Sequence, residues 1–357
     1  MIGLMLAVGT AWPCAALLTK GAGVLATSDA QEVILERNET GVLTRYRVSY
    51  DGNAESFGWL IVTRGSVGEG DITEADDGLF DELRSITQPL LQQVDVVSEP
   101  NSASGCGCTR TMGAAKGADG AVFSGGGSNG LGDTGAVSIT AEGFAGPFAY
   151  TALSATDSDA LLDWLEDNDF ELGDTSATLG HYIDDGEFTF VAVSLSPDAA
   201  ETPAEGRTLP ALAIQSDAEQ MEFPARMAMT GMAMELRTTV WVLGDETAEA
   251  IEGWASVPAY DMGGESDPEG AYDEVLRANA VAAEKTYVVP FSGAFDGRWV
   301  TRFDTLAPRS VHTDDPVFEY TSDQEQWQLT ILVDQNYAGA VIWFSLFGLG
   351  IARRRTA

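Results

Sequence analysis

The sequence predicts an α+β fold, mainly antiparallel sheets with a few covering helices. Three observations carry this. Short runs of period two recur along most of the chain, few stretches show the 3.6-residue period of an amphipathic helix, and Gly, Asn, Asp and Pro separate neighbouring runs at turn distance. At 357 residues the chain has room for one large domain or two smaller ones.

Met1 to Val8 form an apolar run, followed by small residues at Gly9 and Ala11, so residues 1–11 read as a signal peptide. No charged residue precedes the run, and a buried first strand is the competing assignment. Residues 12–98 are expected to form an N-terminal strand and helix subdomain. Within it, 32–37 and 42–50 flank the turn-rich tetrad Asn38-Glu39-Thr40-Gly41, a hairpin signal. Tyr46, Val48 and Tyr50 alternate with Arg47 and Ser49, which predicts one apolar face and one wet face. A third strand follows at 57–63. Asp76 and Asp77 then precede a helix with Leu79, Phe80, Leu83 and Ile86 on one side, which Pro89 should stop near Gln88.

Residues 99–135 are Gly-rich and read as a linker containing Cys106-Gly107-Cys108. The main α+β domain is expected over 136–333. The order strand, strand, helix restarts at Val137, which permits an internal duplication. Phe148 to Pro197 is its best-patterned part: a strand, a helix, then a second strand. Thr156 is placed to cap the helix, Asp159 lies near its positive end, and Leu161, Trp164 and Leu165 share one face. From Glu187 to Leu195 both faces are apolar, so this strand should be interior. Strands are further expected at 209–215, 223–229, 235–243, 286–290, 298–303 and 326–333, with a helix at about 271–283 around Val275 and Leu276.

The end of the chain, 337–355, reads as a short C-terminal transmembrane helix or a sorting tail. Residues 337–352 carry no charge, Trp343 lies among them, and Arg353, Arg354 and Arg355 close the run. As a helix it spans roughly 24 Å, against a hydrocarbon core of about 30 Å, within reach of a thinned membrane. The three Arg should stay on the cytoplasmic side, which places everything upstream outside. The expected partner at this end is therefore the membrane, and the expected location is extracytoplasmic, periplasm or cell surface.

Charge excludes one class of partner. With 19 Lys+Arg against 55 Asp+Glu, the formal charge of -36 leaves too few cations to displace the counterions of a nucleic acid. Cys14, Cys106 and Cys108 are the disulfide candidates. In an oxidising compartment one bridge forms and one thiol is left over, most simply from Cys14 to the Cys106/Cys108 pair, although spacing does not choose the partner.

The combination of Cys14, Phe57-Gly58-Trp59, Gly105-Cys106-Gly107-Cys108, Ala160-Leu161-Leu162-Asp163-Trp164-Leu165, His181-Tyr182-Ile183 and Val240-Trp241-Val242-Leu243 resembles the bacterial family known as domain of unknown function 2330. Thr301-Arg302-Phe303 and Asp315-Pro316-Val317-Phe318 fit the same pattern, so the resemblance runs from about Cys14 to Phe318. It implies an exported, envelope-associated protein and brings no catalytic residues with it. Where the family tends to place a Pro-rich turn after the aromatic strand, this chain has Val62-Thr63-Arg64.

Chemistry-bearing motifs are sparse. Gly125 to Gly130 formally meets the dinucleotide-loop and nucleophile-elbow spacings, but neither flanking element is present, so it reads as loop. Met227, Met229, Met232 and Met234 form two Met-x-Met pairs, soft enough for Cu(I) if both lie on one strand face; the same spacing fills a half-buried strand. Asp167, Asp169 and Asp174 around Asn168 lack the Gly and terminal Glu of a calcium loop, leaving at most a loose cation site. His181 and His312 are the only imidazoles. His181 lies beside Asp184 and Asp185, the set on which a metal-assisted or hydrolytic enzyme would have to draw. No cofactor is evident beyond copper or calcium. The expected function is a non-catalytic binding or structural ectodomain, with the exported enzyme as the alternative.

Overall fold

The computed structural model describes residues 16–20, 30–50, 57–94, 135–171, 176–196, 207–228, 235–258, 265–266, 272–273, 275–277, 286–308, 311–322, 324–334 and 340–344. Two large sheets dominate. The first has six strands in the order β7 (Val137–Ala145), β8 (Phe148–Ala155), β10 (Phe188–Leu195), β4 (Phe57–Arg64), β1 (Ala16–Lys20) and β9 (Phe170–Glu171), all antiparallel.

The second has ten strands. Its path runs β16 (Ala255–Pro258), β18 (Thr286–Phe295), β19 (Arg298–Pro308), β14 (Glu235–Gly244), β2 (Ala30–Asn38), β3 (Gly41–Tyr50), β12 (Leu212–Ser216) and β5 (Ile72–Glu74). Off this path, β11 (Arg207–Thr208) joins β3 and β21 (Trp327–Gln328) joins β18. Only β14/β2 and β16/β18 are parallel in it. Two small sheets complete the strands: β13 (Met221–Glu222), β20 (Val317–Thr321) and β15 (Thr247–Glu252); and β17 (Glu265–Ser266), β23 (Ala340–Phe344), β22 (Thr330–Asp334) and β6 (Leu90–Val94).

The helices are α1 (Asp77–Thr87), α2 (Ser158–Asp167), α3 (Ser176–Asp185) and the one-turn α4 (Ala225–Ala228). They sit outside the two sheets. The largest core lies between the sheets and joins Val33, Tyr46 and Val240 of the second to Trp59, Phe148 and Val191 of the first; the Tyr46 and Trp59 rings meet edge-on at 6.0 Å. A second core covers the outer face of the six-stranded sheet, with Leu161, Leu165, Leu179 and Tyr182 packed on Leu60, Leu153 and Phe190. A third puts Phe80 and Leu83 of α1 on Ile34, Trp241 and Leu243. The layers are therefore helix, sheet, sheet, helix. That is why β4 and β10 are buried on both faces, as the apolar run at 187–195 predicts.

Both large sheets join strands from residues 16–74 to strands from residues 137–328, so the early segment is built into the same layers as the later one. The hairpin forms as expected, Asn38 facing Gly41. Its second face is wet only in part: Arg45 and Ser49 stay half-buried. Arg47 is buried under α1, donating to Glu32 and to Asp81 at 2.8 Å each and lying 4.7 Å from the Phe80 ring centroid. Paired in this way, the guanidinium carries its charge beneath a helix and its stem covers apolar surface. The strand after the hairpin, β4, crosses to the other sheet.

Local capping follows the sequence with one shift. Asp76 caps α1 as expected. In α2 the cap is Asp157, whose Oδ1 accepts from the Ala160 amide at 2.9 Å, while the Thr156 hydroxyl donates backwards to the Ala136 carbonyl. Asp157→Ala should therefore cost about 1 kcal/mol in a urea melt and Thr156→Ala distinctly less; equal costs would return the cap to Thr156.

Two expected elements are replaced. The strand at 223–229 gives way to α4, because Pro224 lacks the amide a ladder needs and presets the first helical turn. In the expected C-terminal helix, Ala340–Phe344 instead form β23, antiparallel to β22. Val341, Ile342, Trp343 and Phe344 are strand formers, and β22 offers them a ladder. No helix among the described residues is long and apolar enough to cross a membrane; 345–357 lie outside them.

Candidate functional site

Among the described residues, a large group of ionisable side chains gathers where α3, the end of β4, β13, α4 and the loop before β20 meet. Each comes from a different part of the chain. α3 forms although Gly180 weakens it, because Leu179, Tyr182 and Ile183, spaced three and four apart, reach the core over the six-stranded sheet. Tyr182 is buried against Phe188, ring centroids 4.9 Å apart, which leaves His181 on the outer side, 44% exposed.

Arg64, the last residue of β4, faces Phe188 in register and stacks 4.5 Å from its ring centroid. Its guanidinium is held by three carboxylates: Glu222 at Nε, Glu187, and Asp185 at 3.3 Å. Behind it lies a second centre. Asp315, 5% exposed, accepts from the Arg226 amide at 2.8 Å and from the Tyr182 hydroxyl at 3.1 Å, with Arg226 Nε at 3.5 Å and His181 Nε2 at 4.0 Å. Arg226 also reaches Asp314 at 3.1 Å. Gly253 fixes this loop: its φ of +69° suits glycine, and a Cβ there would stand 2.2 Å from the Asp315 carbonyl.

The electrostatics follow from burial. Desolvation raises the Asp315 pKa, opposed by Arg226 and Tyr182. The same effect raises Glu222, 7% exposed, against the pull of Arg64, with Asp315 adding like-charge repulsion. Burial and then Arg226 lower His181, while Asp185, Glu222 and Asp184 work the other way. Tyr182 is raised well above the ordinary tyrosine range by burial and by the Asp315 charge. Perturbed groups of both kinds thus share one site, which marks it as the functional candidate.

A cleft of about 690 Å³ opens beside Arg64, across the ends of β4, β10, β8 and β7. Ser66, Thr140, Ser154 and Thr189 give it hydroxyls, and Glu187, Asp217 and Glu219 give it carboxylates. Thr140 is the extra residue in the β7 bulge, which turns it out of the ladder. Gly65, at φ +86°, lets residues 217–218 press against the end of β4; a Cβ there would lie 2.7 Å from the Ala218 amide nitrogen. A smaller recess of about 450 Å³ lies on the other side of the same segment, toward Arg37 and the hairpin turn.

Of the residues singled out in the sequence, His181 is in this group, but its carboxylate neighbour is Asp315. Asp185 serves Arg64, and Asp184 is exposed and acts on His181 only at range. Met227 is buried in the core beneath α2 and α3, on the turn of α4. Met229, Met232, Met234, Cys14, Cys106, Cys108, Arg353, Arg354 and Arg355 lie outside the described residues, and Trp343 sits on β23. Among the described residues, no group of three or more His, Cys, Asp or Glu side chains is placed to hold a metal ion. Arg64, Glu222 and Arg226 escape sequence inspection because 158 residues separate Arg64 from its partner Glu222. Asp315 opens the run Asp315-Pro316-Val317-Phe318, which nothing in the sequence links to His181.

The fold and site define a sheet-rich α+β protein with a cross-braced ionic centre beside a polar cleft. The chain belongs to the family described as "Uncharacterized protein conserved in bacteria (DUF2330)", whose model matches residues 8–288. That match begins before Cys14 and stops short of Phe318, so Arg64, His181, Glu222 and Arg226 fall inside it while Thr301–Phe303 and Asp315 fall beyond. No curated protein and no solved structure matches the chain.

Proposed function

We propose that the protein is exported to the bacterial envelope and that its acidic body binds a polar ligand in the cleft beside Arg64 without turning it over. One observation carries this. The guanidinium of the cleft is already engaged by three carboxylates, one at each of its nitrogens, so its charge is neutralised and what chiefly remains for a ligand is hydroxyls, backbone and acid. Such a lining favours neutral or amine-bearing ligands and disfavours anions. Among the described residues no Ser or Thr hydroxyl hydrogen-bonds His181, so none of these hydroxyls is placed for the imidazole to activate.

Titration calorimetry of the full chain should detect glucosamine oligomers or neutral hexose oligomers and show no heat with phosphorylated sugars. Thr140→Arg with Ser154→Arg, both exposed positions, should weaken that binding at least tenfold; unchanged affinity would remove the cleft from the proposal. The hydrolytic reading is favoured by a different observation, the raised pKa values of Asp315 and Glu222 beside His181. It predicts turnover of chromogenic glycosides or esters that Asp315→Asn abolishes while the protein stays folded.

Export rests on the apolar start of the chain, the bacterial family and the C-terminal apolar run closed by Arg353, Arg354 and Arg355. Membrane attachment through that run competes with the pairing of β23. Fractionation of the full chain beside one ending at Asp334 decides it: a soluble full chain would remove the tail's membrane role.

A further inference from the structure

We infer that Gln31, Thr238 and Thr305, inside the core between the two large sheets, form a binding site for one or two ordered water molecules. The three stand side by side on neighbouring strands. Parallel register sets Gln31 of β2 beside Thr238 of β14, and antiparallel register sets Thr238 beside Thr305 of β19. Residues paired in register project from the same face of a sheet. Their exposures are 4%, 0% and 1%.

The row is sealed along the strands. Two positions one way come Val33, Val240 and Phe303, and two positions the other way Leu236 and Ala307, all buried and apolar. Inside this hydrocarbon, Gln31 Nε2, Thr238 Oγ1 and Thr305 Oγ1 each hydrogen-bond to no protein atom. A buried amide or hydroxyl without a partner is strongly unfavourable, and native cores satisfy nearly all of them. Here three such groups converge on one place.

Their chemistry selects the ligand. Cβ atoms of cross-strand neighbours stand about 4.5–5.5 Å apart, a span that a molecule bonded to both side chains bridges. An apolar molecule would leave all three groups unmet. A charged one would find no counter-ion, because Arg237 and Asp304, next in sequence, alternate to the opposite face. Water donates and accepts, needs two to four polar partners, and finds three.

The test uses substitutions that keep shape. Thr238→Val exchanges only the hydroxyl for a methyl group of similar size. With water bound, it strips a partner from a buried network, and the thermal midpoint should fall by a few degrees, while Thr238→Ser stays near the parent. A dry row would behave oppositely: Thr238→Val would delete an unmet hydroxyl and raise the midpoint, overturning the inference. Thr305→Val gives the same readout should the first variant not fold. Water ¹⁷O relaxation dispersion provides the second measurement. The number of long-lived internal waters should fall in the Thr238→Val/Thr305→Val variant, and an unchanged number would also overturn the site.

Discussion

Asp304→Ala should destabilise the protein by about 3–5 kcal/mol, the largest loss expected from any single carboxylate here. Asp304 is fully buried and paired with the buried Arg302, at 3.0 Å from Nε and 2.9 Å from the terminal nitrogen, and it also accepts from the Tyr272 hydroxyl at 2.6 Å. On its other side Arg302 lies 5.6 Å from the Trp241 ring centroid, and the Trp241 indole donates to Thr87, whose hydroxyl in turn donates to the Leu83 carbonyl. Removing the carboxylate leaves a buried guanidinium without its counter-ion, holding only the long 3.5 Å bond to the Thr87 hydroxyl, and a buried phenol without its acceptor. Removing all three groups together is a different experiment. The triple variant Arg302→Met, Asp304→Leu, Tyr272→Phe leaves no orphan and should lose much less than Asp304→Ala alone. Guanidinium denaturation of the parent, the single and the triple variant distinguishes the cases. A loss below about 1 kcal/mol in Asp304→Ala would mean that water reaches the pair.

This network shows what the sequence makes legible and what it hides. Periodicity reports burial, so β10, with both faces apolar, and α1, with Phe80 and Leu83 on one side, are readable from a few residues each. A charged residue at an alternating position reads as a wet face, and Arg47 and Arg302 break that rule. Each is buried because carboxylates neutralise it: the partners of Arg47 lie 15 and 34 residues away, where no local pattern encodes them, while Asp304 lies two residues from Arg302 on one strand face, a spacing that reads equally well as a wet face. Pro224 is the legible sign that 223–229 cannot run as a strand, against the strand-like spacing of Met227 and Met229. The spacing of Leu179, Tyr182 and Ile183 was likewise sufficient for α3, yet Gly180 and the flanking Ser and Thr masked it. The ionic centre was illegible for a stronger reason. Its members come from α3, β4, β13, α4 and the loop before β20, and only the folding of both sheets brings them together.

Acid should unfold the native protein more readily than His312→Phe, and the difference should develop between pH 6.5 and pH 4. His312 is fully buried, its ring 5.2 Å from that of Trp254, and neither nitrogen has a hydrogen-bond partner of good geometry. Burial pushes its pKa down to about 4 from the usual 6.5, with the Ala307 backbone working the other way. Above pH 6.5 the ring is neutral in both states and contributes no pH dependence. As the pH falls, the unfolded chain takes up a proton that the native state refuses, so stability declines until the native ring itself titrates near pH 4. A shift of that size corresponds to about 3 kcal/mol. Asp315 and Glu222, raised in the native state, hold their protons longer than the unfolded chain does and oppose the decline, while His181, lowered, adds to it. The informative quantity is therefore the difference between parent and His312→Phe, in which those contributions cancel. Urea melts from pH 7 to pH 4 should show the parent losing about 3 kcal/mol more than the variant. Parallel curves would mean that the imidazole is solvated or partnered in solution. Because Trp254, against the His312 ring, also donates its indole proton to the Asp314 carbonyl, the same acidification should loosen the loop that holds Asp315 against Arg226 and Tyr182.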